Sequence, residues 1–327
     1  MFSTLFRKPK PVNPGPIWLD DPKASRAIET KLRDGVITSE EAANLRKFAD
    51  DGYFIINLGI TAADAQAFDD DVERLWREKP HDVAFAYDSP PMRFSEADPA
   101  RHRRPRYRIH DLHSASDVAR RLYLDRTLHR YAALILGEPP VATQSLYFQF
   151  GSQQALHRDS IVVPTPVFGE LLAAWIALED IDRRSGALAY VPGSHKLPFY
   201  EFTPGKVVYD PASMTDADVA KALAFYDAEL KKSGLPVELF EAKRGEVLLW
   251  HSALMHGGGP VENDRLTRRS FVVHYSARQH QHSRDIGVAE VLDGQAGESV
   301  FVTQELIEAN GAAGFRNPLQ GERAYRR

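Results

Sequence analysis

His157, Arg158 and Asp159 place an imidazole and a carboxylate two residues apart. In an extended strand, residues at i and i+2 project to one face about 6.6 Å apart at their α-carbons, so both side chains can converge on one cation. The same pair also forms as a hydrogen-bonded couple on a surface, and a chain with 12 histidines offers it by chance. A second segment about a hundred residues further on shifts that balance: Trp250-His251-Ser252-Ala253-Leu254-Met255-His256-Gly257-Gly258-Gly259-Pro260. His256 ends a strand and is followed by three glycines, which admit close backbone approach and keep bulky side chains away from open coordination positions. Two histidines and one aspartate are the donor set of a facial triad, which leaves adjacent positions free on an octahedral ferrous ion. His251 competes as the third ligand, but its place inside the strand beside Trp250 suits packing, and His256 is preferred.

A third element begins at Arg268, which opens the run Arg268-Arg269-Ser270-Phe271-Val272-Val273-His274-Tyr275. Strand alternation assigns Arg268, Ser270, Val272 and His274 to one face and Arg269, Phe271, Val273 and Tyr275 to the other. A guanidinium pointing into a barrel demands a buried anion. The distal carboxylate of 2-oxoglutarate, gripped bidentately, is one such anion, and a glutamate of the protein itself is the alternative.

These segments resemble the iron(II)- and 2-oxoglutarate-dependent oxygenases of the phytanoyl-CoA dioxygenase type, over about Leu45 to Tyr275. The resemblance is carried by Phe48-Ala49-Asp50-Asp51-Gly52-Tyr53, His157-Arg158-Asp159, Trp175 to Ile181 with Ser185-Gly186-Ala187-Leu188, Val191-Pro192-Gly193-Ser194-His195-Lys196, and His256 to Pro260 with Arg268. It implies His157, Asp159 and His256 as the iron ligands and catalytic centre, and Arg268 as the clamp on 2-oxoglutarate. It further implies that Trp175 lines the cosubstrate pocket and that Gln144 contacts the cosubstrate. The implied cofactors are Fe(II), 2-oxoglutarate and O2. The implied reaction hydroxylates an unactivated C–H of a small organic substrate, with release of succinate and CO2. Relatives that halogenate carry a small residue where this chain has Asp159, so the carboxylate points to hydroxylation. Many relatives have a serine where this chain has Gly258, so one hydroxyl contact is missing or supplied elsewhere, with Ser270 the candidate. His195 belongs to the family's turn and is read as structural. Two other classes remain open: a non-oxidative cupin-like enzyme with zinc or manganese in the same ligands, and a catalytically silent ligand-binding barrel.

The elements that must position these residues follow from pattern. The chain has 327 residues, 43% of them hydrophobic and 26% charged, which suffices for a large core. Thr38 with Glu41 opens a helix that runs to about Asp50 and stops at Gly52, and Tyr53 to Leu58 reads as a strand. Thr61 with Asp64 opens a second helix with Phe68, Val72, Leu75 and Trp76 at helical spacing, and 116–136 reads as a third. From Val141 short β-branched and aromatic runs alternate with turns, giving strands near 143–150, 155–163, 171–178, 188–191, 237–241, 247–250 and 268–275. The fold class expected is mainly β with flanking helices: a double-stranded β-helix (jelly-roll, cupin-like) core, N-terminal helices packed on one sheet, and a helical insertion near 215–233. That insertion carries Val219, Leu223, Tyr226 and Leu230 on one stripe, and 197–236 is a candidate lid. The organisation expected is an arm over 1–37, the oxygenase domain over 38–280 and an extension over 281–327.

A net charge of −4 argues against nucleic acid as a partner, despite the basic run Arg101, Arg103, Arg104, Arg106 and Arg108, which reads as a solvated loop or a contact to a substrate anion. No window is apolar enough to span a bilayer, and Arg7, Lys8 and Lys10 stand where a signal peptide is apolar, so the expectation is a cytoplasmic protein acting on a small molecule. With no cysteine, no thiol competes for iron. The oligomeric state is unknown from sequence.

Overall fold

The computed structural model describes residues 17–78, 84–86, 93–94, 103, 107–163, 165–208, 214–281, 285–292, 295–317 and 325–326. Helix α1 spans Ala24–Arg33 and α2 spans Ser39–Asp51. Thr38 Oγ1 accepts the Glu41 amide at 3.1 Å while Glu41 Oε2 accepts the Thr38 amide at 2.9 Å, the reciprocal cap that the Thr-x-x-Glu spacing predicts. Gly52 stops α2 in the left-handed region at φ 81°, and Leu45 and Phe48 face inward. Strand β1 follows over Tyr53–Asn57, and α3 spans Ala62–Glu78 with Phe68, Val72, Leu75 and Trp76 buried. Where one helix is expected over 116–136 there are two, α4 at Asp117–Tyr123 and α5 at Arg126–Leu136. The break falls at Asp125, whose Oδ1 accepts the amides of Thr127 and Leu128 at 2.9 and 3.0 Å and so caps a new helix.

The remaining core elements are β2 (Arg108–His110), β3 (Pro140–Phe148), β4 (Leu172–Ala177), β5 (Leu188–Tyr190), α6 (Asp216–Ser233), β6 (Glu238–Phe240), β7 (Glu246–His251), β8 (His256–Gly258) and β9 (Ser270–Ala277). The larger sheet runs β1-β7-β4-β9-β3-β2, with further strands continuing beyond β2, and the smaller sheet is β8-β5-β6. Adjacent strands in both runs are antiparallel. The two sheets are stacked without closing into a barrel, which is the double-stranded β-helix expected. Period-two alternation divides the larger sheet between two cores. Phe54, Tyr147, Leu172, Ala174, Ile176, Leu249, Phe271 and Val273 pack with α2, α3 and α5 on one side. Phe148, Ala173, Trp175, Leu248, Trp250 and Val272 meet Leu188, Tyr190 and Phe240 of the smaller sheet on the other. With both faces covered, β4 and β9 are buried along their whole length.

Five expectations need correction. The strand over 155–163 shrinks to one bridge between His157 and His256, after which Asp159–Val162 turns into a short helix closed by the Val163 amide on Asp159 O at 2.7 Å. The Ser160 amide goes to Ser252 O at 2.9 Å, so extended pairing ends there. On α6 the stripe turns slightly, because Ala222 and Tyr226 are buried while Leu223 is exposed. Residues 17–37 are no arm: Ile17, Leu19, Ala24, Ile28 and Ile37 belong to the helix-side core, and only residues 1–16 of that stretch lie outside the described residues. The extension is likewise built in where described, since the hairpin Glu305–Ala309 and Ala312–Arg316 adds to β3 in parallel and Phe315 O accepts from Tyr123 OH at 2.9 Å. Within the basic run, Arg101, Arg104 and Arg106 lie outside the described residues, while Arg103 pairs with Glu73 rather than standing solvated. No described helix is long and apolar enough to cross a membrane.

The three glycines after His256 answer to crowding. A Cβ on Gly257 would stand 2.6 Å from Gln154 O and 3.0 Å from Ala155 O, and one on Gly259 would stand 2.7 Å from Ala187 O. Gly257→Ala is therefore expected to destabilise the protein by about 1–3 kcal/mol in urea unfolding. An unchanged midpoint would show that the bridge to His157 yields without strain.

Candidate metal centre

The bridge that shortens the 155–163 strand is what assembles the site. His157 N donates to His256 O at 2.9 Å and His256 N donates to His157 O at 3.0 Å, which brings the imidazole centroids to 4.5 Å. The turn at Asp159 then folds its carboxylate between them. Oδ1 lies 3.6 Å from His157 Nε2 and 3.5 Å from His256 Nε2. One ligand atom from each of these three residues lies within 4.8 Å of the other two, and they are the one such group among the described residues.

Hydrogen bonds on the far side of each ring set the tautomers. His157 Nδ1 is 2.9 Å from Ala155 O and His256 Nδ1 is 3.0 Å from Leu254 O. A carbonyl only accepts, so each Nδ1 carries the proton and each Nε2 presents a lone pair to the centre. Burial pushes His256 down to about 4, which keeps the ring neutral near pH 7. Burial alone would raise Asp159, but the imidazoles gathered round it, His256 foremost and then His157 and His274, hold its carboxyl well below the usual range. Two neutral imidazoles and an ionised carboxylate suit a divalent first-row metal, iron(II) among them.

Arg268 stands on the inner face with Ser270, Val272 and His274, and the Arg268 amide still pairs with Gln149 O at 2.8 Å. Arg268 is 2% exposed, and among the described residues its guanidinium makes only long contacts, Nη1 to Ser270 Oγ at 3.4 Å and Nη2 to Phe150 O at 3.5 Å, while Nε has no partner. It lies over the rings of Phe148 and Trp175 at 5.2 and 5.6 Å, and Trp175 Nε1 is also buried without a partner. Glu179, the glutamate that acts on it electrostatically, is engaged elsewhere: it accepts from Thr267 Oγ1 at 2.9 Å and from the Arg269 amide at 2.7 Å. Burial pushes Arg268 down to about 10. An orphaned cation beside an orphaned N–H is a cradle for a carboxylate, so these residues fit 2-oxoglutarate.

Gln144 sits at the opposite end of that face, paired across strands with His274, and its amide lies 3.3 Å from His110 Nδ1. It is thus at the metal end of the pocket and away from Arg268. His251 turns aside, 3.3 Å from Asp20 Oδ2, and takes no part in the centre. His195 is wedged against Gly52 with Nε2 3.3 Å from Ala49 O. The hydroxyl that Gly258 lacks has a neighbour that the sequence reading missed: a Cβ at 258 would stand 2.7 Å from Ser152 Oγ. His274 was missed too, although its Nε2 lies 3.4 Å from Asp159 Oδ2 and Trp250 Nε1 donates to the same oxygen at 3.0 Å. Alternation places His274 on the inner face, which is the signal that pointed to it.

The candidate lid packs on the ligand turn through Arg158. This fully buried side chain donates to Ser194 O at 3.0 Å and Leu197 O at 3.2 Å and lies over Phe199 and Tyr226 at 4.5 and 4.9 Å.

Fold and site together define the class: a double-stranded β-helix protein with a His-Asp-His group that could hold one metal ion. Comparison with known proteins then gives the family. The phytanoyl-CoA dioxygenase (PhyH) family model matches residues 48–270, and the chain belongs to that family. It is 27% identical over 169 residues to phytanoyl-CoA dioxygenase domain-containing protein 1 of Bos taurus, covering 50% of this chain and 55% of that protein. It is 24% identical over 225 residues to the peroxisomal phytanoyl-CoA dioxygenase of Bos taurus, covering 65% and 62%. The chain thus spans little more than half the length of these curated relatives. Among solved structures, the non-heme alpha ketoglutarate dependent carbocyclase SnoK from nogalamycin biosynthesis superposes with a TM-score of 0.55 at 18% identity, over 86% of this chain and 96% of that one. EctD from S. alaskensis, solved with 2-oxoglutarate and 5-hydroxyectoine, gives 0.51 at 21% identity, over 75% and 78%. These two likenesses support the fold.

Acid should weaken the metal-free protein, with a defined sign. Burial holds His110, His113 and His195 down to about 3 and His256 to about 4, so all four are neutral in the folded state at pH values where the unfolded chain protonates them. Their stabilisation is present above the unfolded value of 6.5 and is lost as pH falls toward 4, at about 1.4 kcal/mol per pH unit for each proton. Asp111, pushed up to about 6 by burial, opposes this with a single proton. Urea midpoints measured between pH 7 and 4.5 should therefore fall steadily, and a flat profile would contradict the buried neutral rings.

Proposed function

We propose that the protein is an iron(II)- and 2-oxoglutarate-dependent oxygenase that hydroxylates an unactivated C–H of a small organic substrate and releases succinate and CO2. The observation that carries this reading is Arg268: a buried guanidinium without a carboxylate among the described residues, on the same inner face as the metal group. A non-oxidative zinc or manganese enzyme has no need of that cation, whereas a cosubstrate that is a dicarboxylate does; a silent barrel that only binds such an acid is separated by the variants below.

His157, Asp159 and His256 would hold the iron, which supplies oxidative chemistry driven by decarboxylation of the cosubstrate. The protein's own part is positional. Ala155 O and Leu254 O keep the imidazole lone pairs aimed inward. Arg268 and Ser270, with Trp175 beside them, set the far end of 2-oxoglutarate, and Gln144 lies near its metal-bound end. The cover formed by Leu197, Phe199 and α6 packs over the ligand turn and excludes water on that side. Asp159 in the carboxylate position favours hydroxylation among the outcomes this fold supports. Those outcomes extend beyond hydroxylation, because structurally similar proteins include an epimerase and a carbocyclase.

Asp159→Ala and His256→Ala should abolish succinate formation from 2-oxoglutarate while leaving the protein folded. Arg268→Met should raise the 2-oxoglutarate KM by two orders of magnitude or so, the effect of about 3 kcal/mol for truncating one side of a buried charge pair. Wild-type protein with ferrous iron that forms no succinate across a broad panel of small substrates, and binds no 2-oxoglutarate, would end this reading.

A further inference from the structure

We infer that Trp250 and His274 are a pair of positioning residues that keep Asp159 a one-oxygen ligand, so that its second oxygen stays out of the coordination positions that cosubstrate and O2 require. The inference rests on the proposed metal centre and concerns how this chain builds it. Strand register places Gln144, His274, Ala173, Trp250 and Tyr53 in one row across the larger sheet. His274 and Trp250 stand on β9 and β7, either side of β4, with backbones roughly 10 Å apart. Between them the row holds only the methyl of Ala173, which leaves space for a carboxylate above the sheet. Into that space both donors converge on a single atom: Trp250 Nε1 is 3.0 Å and His274 Nε2 is 3.4 Å from Asp159 Oδ2. The other oxygen, Oδ1, is the one that faces His157 and His256. Rotation of the carboxylate to offer both oxygens to a metal would break the Trp250 hydrogen bond and the 3.4 Å contact to His274 in a buried site.

His274 is not itself a ligand, because the group whose atoms lie within 4.8 Å of one another contains only His157, Asp159 and His256. Its Nδ1 is sealed from solvent without a partner among the described residues, a penalty that leucine at this position would avoid. What the imidazole offers in return is the Nε2–H on Asp159. A shell of this kind that orients a ligand typically changes metal affinity tenfold or more when removed.

Co(II) is the probe, followed by 2-oxoglutarate added to the Co(II) protein, for wild type, Trp250→Phe, His274→Leu and His274→Gln, each checked by thermal melt. Trp250→Phe and His274→Leu should weaken Co(II) binding about tenfold, change the Co(II) visible spectrum and weaken 2-oxoglutarate binding. His274→Gln, which returns an N–H to the same region, should recover most of the loss. Wild-type behaviour in both deletion variants, or a glutamine variant as poor as the leucine one, would overturn the proposal. If His274→Leu does not fold, a crystal structure of the wild-type Co(II) and 2-oxoglutarate complex decides: Asp159 bound through one oxygen supports the pair, and bound through two rejects it. Failure of the wild type to bind Co(II) at all would instead remove the metal centre, a separate outcome.

Discussion

Three lone pairs pointed at one another are the constraint around which this protein is built. With both Nδ1 protons committed to backbone carbonyls, two imidazole nitrogens face a carboxylate oxygen at 3.5 and 3.6 Å with no proton assigned to the space between them. Such an arrangement repels itself unless a cation joins it, so the surrounding chain must hold it ready. It does so by backbone pairing between 157 and 256, by carbonyls two residues before each histidine, and by donors on the outer carboxylate oxygen. None of these devices is a long flexible side chain, which limits the entropy lost when the metal arrives.

Two buried arginines show how the same charge is treated for different ends. Both are pushed down to about 10 by burial. Arg158 spreads its charge over two carbonyls and two aromatic rings, and in doing so ties the ligand turn to Ser194, Leu197, Phe199 and Tyr226 of the cover. Arg268 rests on rings and touches its polar neighbours only at 3.4 and 3.5 Å. Each leaves its Nε without a partner among the described residues, but Arg158 donates to carbonyls at 3.0 and 3.2 Å whereas the terminal nitrogens of Arg268 have only the longer contacts. That contrast is what distinguishes Arg268 as the candidate for an outside anion.

The glycine run shows a motif read for the right place with an incomplete reason. Open space around the metal is the sequence-level argument for three glycines after His256. In the fold, backbone from residues 153–155 and 187 fills that space, and Gly258 lies against Ser152 Oγ. The serine that many relatives carry at this point has no room here, and the hydroxyl nearby comes from a different strand connection.

Short-range signals were legible in the chain itself. The Thr38 and Glu41 cap, the Gly52 stop and the alternation that puts Arg268, Ser270 and His274 on one face depend on residues a few positions apart, so their physics is complete within the segment. The grouping of His157, Asp159 and His256 was likewise readable, because few side-chain types can hold a divalent metal. Other features were decided only by the tertiary fold. The row that sets Ala173 between His274 and Trp250 exists through strand register, which is fixed by contacts between residues far apart in the chain. The turn at Asp159 replaced a strand because Ser252, some ninety residues away, takes the Ser160 amide. Residues 17–37 and 305–316 joined the core for a similar reason: their apolar side chains carry little local signal, and only the assembled sheets and helices supply a surface to bury them.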